Sequence, residues 1–422
     1  MNVLAQAYRY YIDSFRGFGP QIWVLTALTF VNRAGSMVLP FLSLYLTKDM
    51  GLTLEQVGWI MAAYGAGSVL GSWAGGRLTD RIGFYDVMLA SLITSGVAFI
   101  ALRYVQGFLP FVAGIFVVSL LMDAYRPAMF VAIRAYARPE NRTRAVTLIR
   151  LAINLGFSMG PAIGGLIIAY LGYGALFHVD GITCIAASGV LWLGLRRKQA
   201  NQQDENNRSI AQRSPYSDRL YLLFLAVLVL IGIAFLQYFS TLPLFYSEVH
   251  GLSEKTIGIL LGLNGLLIFL TEMPLIKYCE NKRFKLFRIL RFSTVLFALS
   301  FAVLNVLPIM AFLWIGMILM TVGEMLNFPL MNRFAFDRSD RGKPGAYMAL
   351  FTIGWSVAHI VGHPLGLNLV ARLGYEKTWW ILTGVLMLGW AMLYWLEGML
   401  SREEVIGSAK TRSPHSDRIG TG

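Results

Sequence analysis

Long apolar runs separated by short polar punctuation make up most of this chain, and the runs share one length. A helix rises about 1.5 Å per residue, so roughly 20 apolar residues cover the about 30 Å of a bilayer's hydrocarbon. About twelve stretches of that size follow one another here. The first six are placed at 21–46, 55–76, 87–105, 108–132, 145–170 and 174–195. The second six are placed at 220–246, 254–277, 286–305, 308–331, 345–370 and 378–398. Numbered as spans 1 to 12, they predict an all-α membrane protein of twelve transmembrane helices. Met1 to Pro20 has Tyr, Arg and Asp scattered through it and no apolar stretch before a small-residue cleavage site, so no cleavable signal is expected.

The polar punctuation repeats. Gly51, Leu52 and Gly58 lead through an apolar run to Gly65, Arg77 and Asp80. Gly251, Leu252 and Gly258 lead at the same spacing to Gly265, Lys277 and Glu280. Leu171-Gly172-Tyr173 returns as Leu373-Gly374-Tyr375, and Gly160-Pro161 is echoed by His363-Pro364. A repeat this long, built of apolar stretches, predicts two related membrane bundles rather than a solenoid of short units. The expected division is an N-terminal six-helix bundle at 1–195, a cytoplasmic linker at 196–219, a C-terminal six-helix bundle at 220–400 and a cytoplasmic tail at 401–422. The linker (KQANQQDENNRSIAQRSPYSD from Lys198) is too poor in apolar residues to pack a core, and neither it nor the tail is assigned chemistry.

Composition agrees with a membrane solvent: 56% of residues are hydrophobic and 14% charged, with a mean hydropathy of +0.59. The formal charge of +13 invites a nucleic-acid reading until its distribution is examined. Roughly 28 of the 36 Lys and Arg residues fall in the tails and alternate loops on one side, the asymmetry that marks the cytoplasmic face. Both termini are therefore expected in the cytoplasm, with basic loops beside anionic headgroups and no nucleic-acid partner. Cys184 and Cys279 sit in or beside different spans and are expected as free thiols.

Span 2 ends in Gly76-Arg77-Leu78-Thr79-Asp80-Arg81-Ile82-Gly83. Span 5 contains Gly156-Phe157-Ser158-Met159-Gly160-Pro161-Ala162-Ile163-Gly164-Gly165. On these motifs the chain resembles a major facilitator superfamily transporter, and the second resembles the GxxxGPxxGG signature of that superfamily's 12-span drug:proton antiporter branch. The resemblance covers nearly the whole chain. It implies two pseudo-symmetric six-helix bundles around a central cavity, alternating access by rocking, and spans 1, 4, 7 and 10 as cavity walls. It also implies a gating role for Gly76, Asp80, Arg81 and Gly83, with Asp80 tying the bundles together in one state. The sequence departs from the family pattern at Phe84, Tyr85 and Asp86, where basic residues are usual. It departs again at Ala135, where an acid often ends span 4, and at Ile115, where an arginine is expected. Independently of the family, Gly156, Gly160, Gly164 and Gly165 leave a groove that another helix can approach, and Pro161 bends the span.

Gly156-Phe157-Ser158-Met159-Gly160 also fits G-x-S-x-G, but a hydrolase elbow needs a strand and a sharp turn, and continuous apolar helix surrounds this serine. The chain has no phosphate-binding G-x-x-x-x-G-K-[ST] loop. No Cys/His/carboxylate cluster suggests a metal, and no cofactor is implied.

Charge inside a bilayer is costly, so the ionisable residues in the spans point to function. They are Arg33 in span 1, Asp123 and Arg126 in span 4, Arg150 in span 5, Glu272 in span 8 and Glu324 in span 10. Thr29, Asn32, Arg33 and Ser36 share a helix face; so do Ser119, Asp123 and Arg126, then Gln237 and Thr241, then Thr321, Glu324 and Phe328. Asn32, Arg33, Arg126, Gln237 and Asn327 are the candidate substrate-cavity residues. Asp123 and Arg126, one turn apart, are read either as a neutralising pair or as an exchange in which Asp123 also serves Arg33. Glu324 has no basic neighbour on its own helix, which makes it the first candidate for proton coupling, ahead of Glu272 and Asp123. His178 and Asp180 are expected at the outer end of span 6 in ordinary interfacial solvation, and His359 and His363 as packed, hydrogen-bonded neutral histidines. The reading is a non-enzymatic, proton-coupled exporter of small, largely hydrophobic compounds, monomeric and lipid-embedded in an inner or plasma membrane. The alternatives are an uptake symporter for a peptide, sugar or organic acid, with Arg33 and Arg126 on a carboxylate, and a non-transporting lipid sensor or hydrolase.

Overall fold

The computed structural model describes residues 18–138, 142–197, 214–282, 284–306, 309–339, 341 and 344–411, which are almost wholly helical with no strand among them. Most of the expected linker and the end of the tail lie outside these residues, as do the side chains of Arg134, Lys277 and Glu280. Span 1 is Pro20–Ala34, Val38–Leu44 and a π-helical turn Tyr45–Asp49; span 2 is Leu54–Ile82 and span 3 Phe84–Leu102. Span 4 is Phe108–Asp123 continued by Tyr125–Tyr136, span 5 is Arg142–Leu171 and span 6 Gly174–Gly194. In the second half, span 7 is Arg219–Glu248, span 8 Glu254–Asn281, span 9 Leu286–Ala302 and span 10 Met310–Ser339. Spans 11 and 12 share Pro344–Thr411, parted at Gly374 with φ 78°. Among the described residues, 10 helical stretches have the length and hydropathy to cross a bilayer. One of them holds both spans 11 and 12, and span 2 falls short because glycines, serines, Tyr64 and two tryptophans dilute its apolar run, so the described residues make twelve crossings.

The duplication is visible in the backbone. Gly51 and Gly251 take φ of 66° and 62°, and Gly172 and Gly374 both take 78°. These are left-handed turns that favour glycine, so the matched residues do the same local work in each half. Within the halves, close helix approach rests on small residues: Gly67, Gly71 and Gly75 on span 2 face the backbone of Phe116, Leu120 and Ala124 on span 4.

Two spans break, and two others part, for identifiable reasons. Pro127 lacks the N–H that would bond the Asp123 carbonyl, and span 4 is interrupted at Ala124; the Ser72 hydroxyl donates to the stranded carbonyl at 3.5 Å. Span 1 breaks between Ala34 and Val38, and there the buried Asp180 carboxylate accepts from the Met37 N–H at 2.9 and 3.1 Å and from the Val38 N–H at 2.9 Å. Asp180 is therefore not an interfacial charge; it caps the second half of a broken helix from span 6. Spans 11 and 12 part at Gly374, as described.

The last helix runs on to Thr411, past the point where a tail was expected, and Glu403 on it bonds Arg338 at 2.8 Å and Arg341 at 2.6 Å. Asp218, at the linker's end, caps span 7 through the Tyr221 N–H and takes a bidentate pair from Arg338 at 2.7 Å. Burial alone would raise the Asp218 carboxyl, but these hydrogen bonds hold it below its ordinary value.

With the side on which span 1 begins called the near side, the two halves meet mainly toward the far side. Spans 5 and 8 run antiparallel in close contact, with Gly165 against Glu254, Gly258 against Pro161 and Ser158 donating to the Gly262 carbonyl at 2.9 Å. At the far face Glu254 receives Lys48 at 2.9 Å and the Tyr173 hydroxyl at 2.7 Å. Toward the near side Glu272 is held by Arg150 and, at 3.1 Å, by Asn154.

Candidate substrate cavity

Between the halves lies a cavity of about 360 Å³, within the usual size range of small-ligand sites. Spans 1, 4, 7 and 10 line it, as the resemblance implied. So do residues of spans 2, 5, 8 and 11, together with Asp180. The second half contributes a box of rings: Phe235 meets Phe328 edge-on at 4.8 Å, and Phe328 meets Trp355 at 5.0 Å. Pro243 and Pro329, inside spans 7 and 10, lack the N–H that would bond the carbonyl four residues earlier on the helices that carry these rings.

Charges are split between the walls. Arg33 and Arg126 line the first half's side. Arg33 lies beside the Phe157 ring at 5.5 Å, and among the described residues no acid stands at ion-pair distance from it. Arg126 is half-exposed and pairs with Asp123 at 3.3 Å within its own helix, Asp123 itself lying buried behind the wall. Glu324 lines the opposite wall, where Asn264 donates to it at 3.1 Å and to Thr321 at 3.0 Å. Glu272, also a proton-coupling candidate, is drawn off the cavity into the Arg150 and Asn154 bridge between spans 5 and 8.

Three expected cavity residues stand elsewhere. Asn32 is buried against Cys184 on span 6 at 3.6 Å. Gln237 ties span 7 to span 11, donating to the Ile233 and Gly362 carbonyls at 2.7 and 2.8 Å while accepting from Thr241 at 2.6 Å. Asn327 donates to Ser293 on span 9 at 2.9 Å. These three side chains turn toward neighbouring helices, while Arg33 and Ser36 on the Asn32 stripe and Glu324 near Asn327 reach the cavity.

His363 reverses another expectation. It is fully buried, and among the described residues neither ring nitrogen has a hydrogen-bond partner; Nδ1 of His359 is likewise unpartnered among them. Both histidines line the cavity, one turn apart. Their proximity on span 11 was legible; their lack of partners was not, because partners come from other helices.

The glycine motif of span 5 divides between two neighbours. Gly156, Gly160 and Gly164 face span 1 around its break, with the Arg33 and Ser36 carbonyls about Gly160 at 3.5 and 3.3 Å from where a methyl would stand. Gly165 and the Pro161 carbonyl face span 8 across the interface of the halves. Of the loop motif, Gly76 faces open space, and Asp80 and Arg81 are exposed on the last turn of span 2. Gly83 ends that helix at φ 91°. Asp80 is thus on the helix itself, past residue 76, where span 2 was expected to end.

Residues 22–363 match the sequence profile of the Major Facilitator Superfamily. The chain belongs to that superfamily. The MFS-type transporter YqjV of Bacillus subtilis is 24% identical over 417 residues, spanning 96% of this chain and 100% of YqjV. A putative sugar efflux transporter of Deinococcus radiodurans is 24% identical over 398 residues, 87% of this chain and 96% of that one. The crystal structure of peptide transporter POT in complex with sulfate matches with a TM-score of 0.76 at 14% identity, over 92% of this chain and 96% of that one, a likeness of fold. The facilitator-superfamily chain is a multi-pass membrane transporter and not an enzyme. Ser158, inside the helix Arg142–Leu171, serves as a bond between spans 5 and 8 rather than as a nucleophile.

Proposed function

We propose that this transporter is a proton-coupled exporter of small, largely hydrophobic compounds, working by alternating access as a monomer in an inner or plasma membrane. The near side is the cytoplasmic one, by the lysine and arginine asymmetry, and both termini lie there. The observation that carries the reading is Glu324. It stands in the cavity wall held by Asn264, and among the described residues no cation lies at ion-pair distance. Asp123 and Glu272 each already stand at ion-pair distance from an arginine, so neither is a free acid in the cavity wall. An acid whose surroundings change from wet to dry as two halves rock holds its proton differently in the two states. One proton moved across 100 mV supplies about 2.3 kcal/mol, enough for a gradient of tens-fold.

The ring box of Phe235, Phe328 and Trp355 suits apolar cargo, and efflux appears in the name of the Deinococcus relative. The far-side contacts of Glu254 fit a cytoplasm-facing state. In that state Asp80, exposed and making no bond to the other half among the described residues, is the clasp that engages when the near side closes. The test is proton flux in proteoliposomes holding the purified protein, read with a pH-sensitive dye while a panel of hydrophobic compounds is added. Compound-dependent proton movement is expected from the wild type and its loss from Glu324→Gln. Equal fluxes from the two proteins would remove Glu324 from the role.

A further inference from the structure

Charge on the first half's wall does not balance. Arg33 and Arg126 contribute two positive charges, and Asp123, the charged neighbour they share, contributes one negative. Asp180 is engaged with backbone N–H groups, and Glu324 is held on the opposite wall by Asn264. Among the described residues Arg33 is therefore left without a counter-ion at ion-pair distance inside a membrane protein, which is costly unless a ligand supplies the partner.

Hydrogen-bonding capacity is unspent in the same region. Nδ1 of His359 and both nitrogens of His363 are buried without partners among the described residues. A side recess of about 290 Å³ adjoins the cavity, lined by Ser68, Ser72, Thr352 and Ser356. Arg126, Trp355 and His359 line both spaces. Trp355 is also a wall of the ring box. Rings and donors thus meet at Trp355, which borders both the ring box and the recess that Arg126 and His359 also line.

We propose that the cavity selects a small aromatic monoanion, its ring against Phe235, Phe328 and Trp355 and its carboxylate on Arg33 and Arg126. The proposal rests on the cavity being the substrate site and narrows the cargo from hydrophobic compounds at large to aryl acids. A cation is repelled by this wall, and a neutral compound leaves Arg33 unpaired. A planar carboxylate matches the guanidinium fork and takes the imidazole N–H groups as well.

One ring skeleton in three charge states tests this: 3-phenylpropionate, 3-phenylpropionamide and 3-phenylpropylamine. Each is titrated calorimetrically at pH 7 into the full chain in nanodiscs, with empty nanodiscs as the blank. A charge-assisted contact implies that the acid binds about tenfold or more tighter than the amide, and the amine no better than the amide. In Arg33→Gln the acid falls to the level of the amide, while amide binding persists and reports an intact cavity. Should Arg33→Gln lose the amide as well, the acid-to-amide ratio in Arg33→Lys and Arg126→Gln decides instead, and a ratio unchanged from wild type in both overturns the proposal. It is also overturned if the amine binds best, if no compound binds, or if decanoate outcompetes the aryl acid. Proton flux lost in Glu324→Gln alongside an amide preference would sink the anion proposal and leave the transport reading standing. The reverse pattern would do the opposite.

Discussion

Asp180 does for the middle of span 1 what a capping residue does for the start of an ordinary helix, but in a place with no water to replace it. Its carboxylate serves the N–H groups of Met37 and Val38, and the sequence offered no hint of this, because the donors lie 143 and 142 residues away. A buried donor left without an acceptor costs about 1–3 kcal/mol. Asp180→Ala is expected to strand two, for about 2–6 kcal/mol, and to lower the thermal midpoint of the purified protein in detergent by several degrees or more. Asp180→Asn keeps one acceptor oxygen and should lose less. Equal losses in the two variants would mean that the carboxylate acts through its charge rather than as an acceptor. Glu324, by contrast, singled out from sequence as an acid without a basic neighbour on its own helix, stands in the cavity wall. Asn32, Gln237 and Asn327 were chosen by the same reasoning and point into helix interfaces. A polar stripe marks a face that avoids lipid, and it does not distinguish a cavity from a neighbouring helix.

At the scale of elements, the two i, i+4 rows of span 5 explain why one glycine motif serves two purposes. Gly156, Gly160 and Gly164 form one row and Pro161 and Gly165 the next, about 100° around the helix. The first row packs inside the first half and the second packs across the halves. The spacing was legible, as were the duplicated turns at Gly51 and Gly251. The partners were not, since a groove does not name the helix that fills it. The division separates two effects of substitution. At Gly156 a methyl would stand 2.5 Å from the Arg33 Cβ and 2.9 Å from the Ala34 nitrogen, so Gly156→Val is expected to cost about 1–3 kcal/mol or more of stability through overpacking. At Gly165 the obstacle is the Glu254 and Lys255 backbone of the other half. Gly165→Val should therefore leave the thermal midpoint nearly unchanged and prise open the far side. The check combines melting curves with maleimide labelling of Thr53→Cys in a Cys184→Ser, Cys279→Ser background. Faster labelling in Gly156→Val than in Gly165→Val would contradict the assignment of the two rows.

For the whole molecule, the distribution of cross-half bonds sets which state is favoured. The far face is closed by the ties of Lys48 and Tyr173 to Glu254, by the Gly165 contact, and by a looser pair of Arg372 with Glu55 at 3.8 Å. Toward the near side the last polar tie between the halves among the described residues is Glu272 with Arg150 and Asn154. A transporter that alternates must break the Glu254 cluster to open outward, and the cost of doing so sets the resting population. Lys48 and Glu254 are partly exposed, with side-chain exposures of 40% and 21%, so their pair contributes about 0.2–1 kcal/mol. Glu254→Gln keeps an acceptor for Tyr173 and should raise the outward-open population by no more than about fivefold. Adding Tyr173→Phe removes the second tie and should move it further. Spin labels at Asp49→Cys and Ser253→Cys, in a background lacking the native cysteines, bracket the seam. Double electron–electron resonance should show a longer-distance component that grows from wild type to the single variant to the double. A distance distribution indifferent to both substitutions would mean that helix packing along spans 5 and 8, rather than this polar cluster, holds the far side shut.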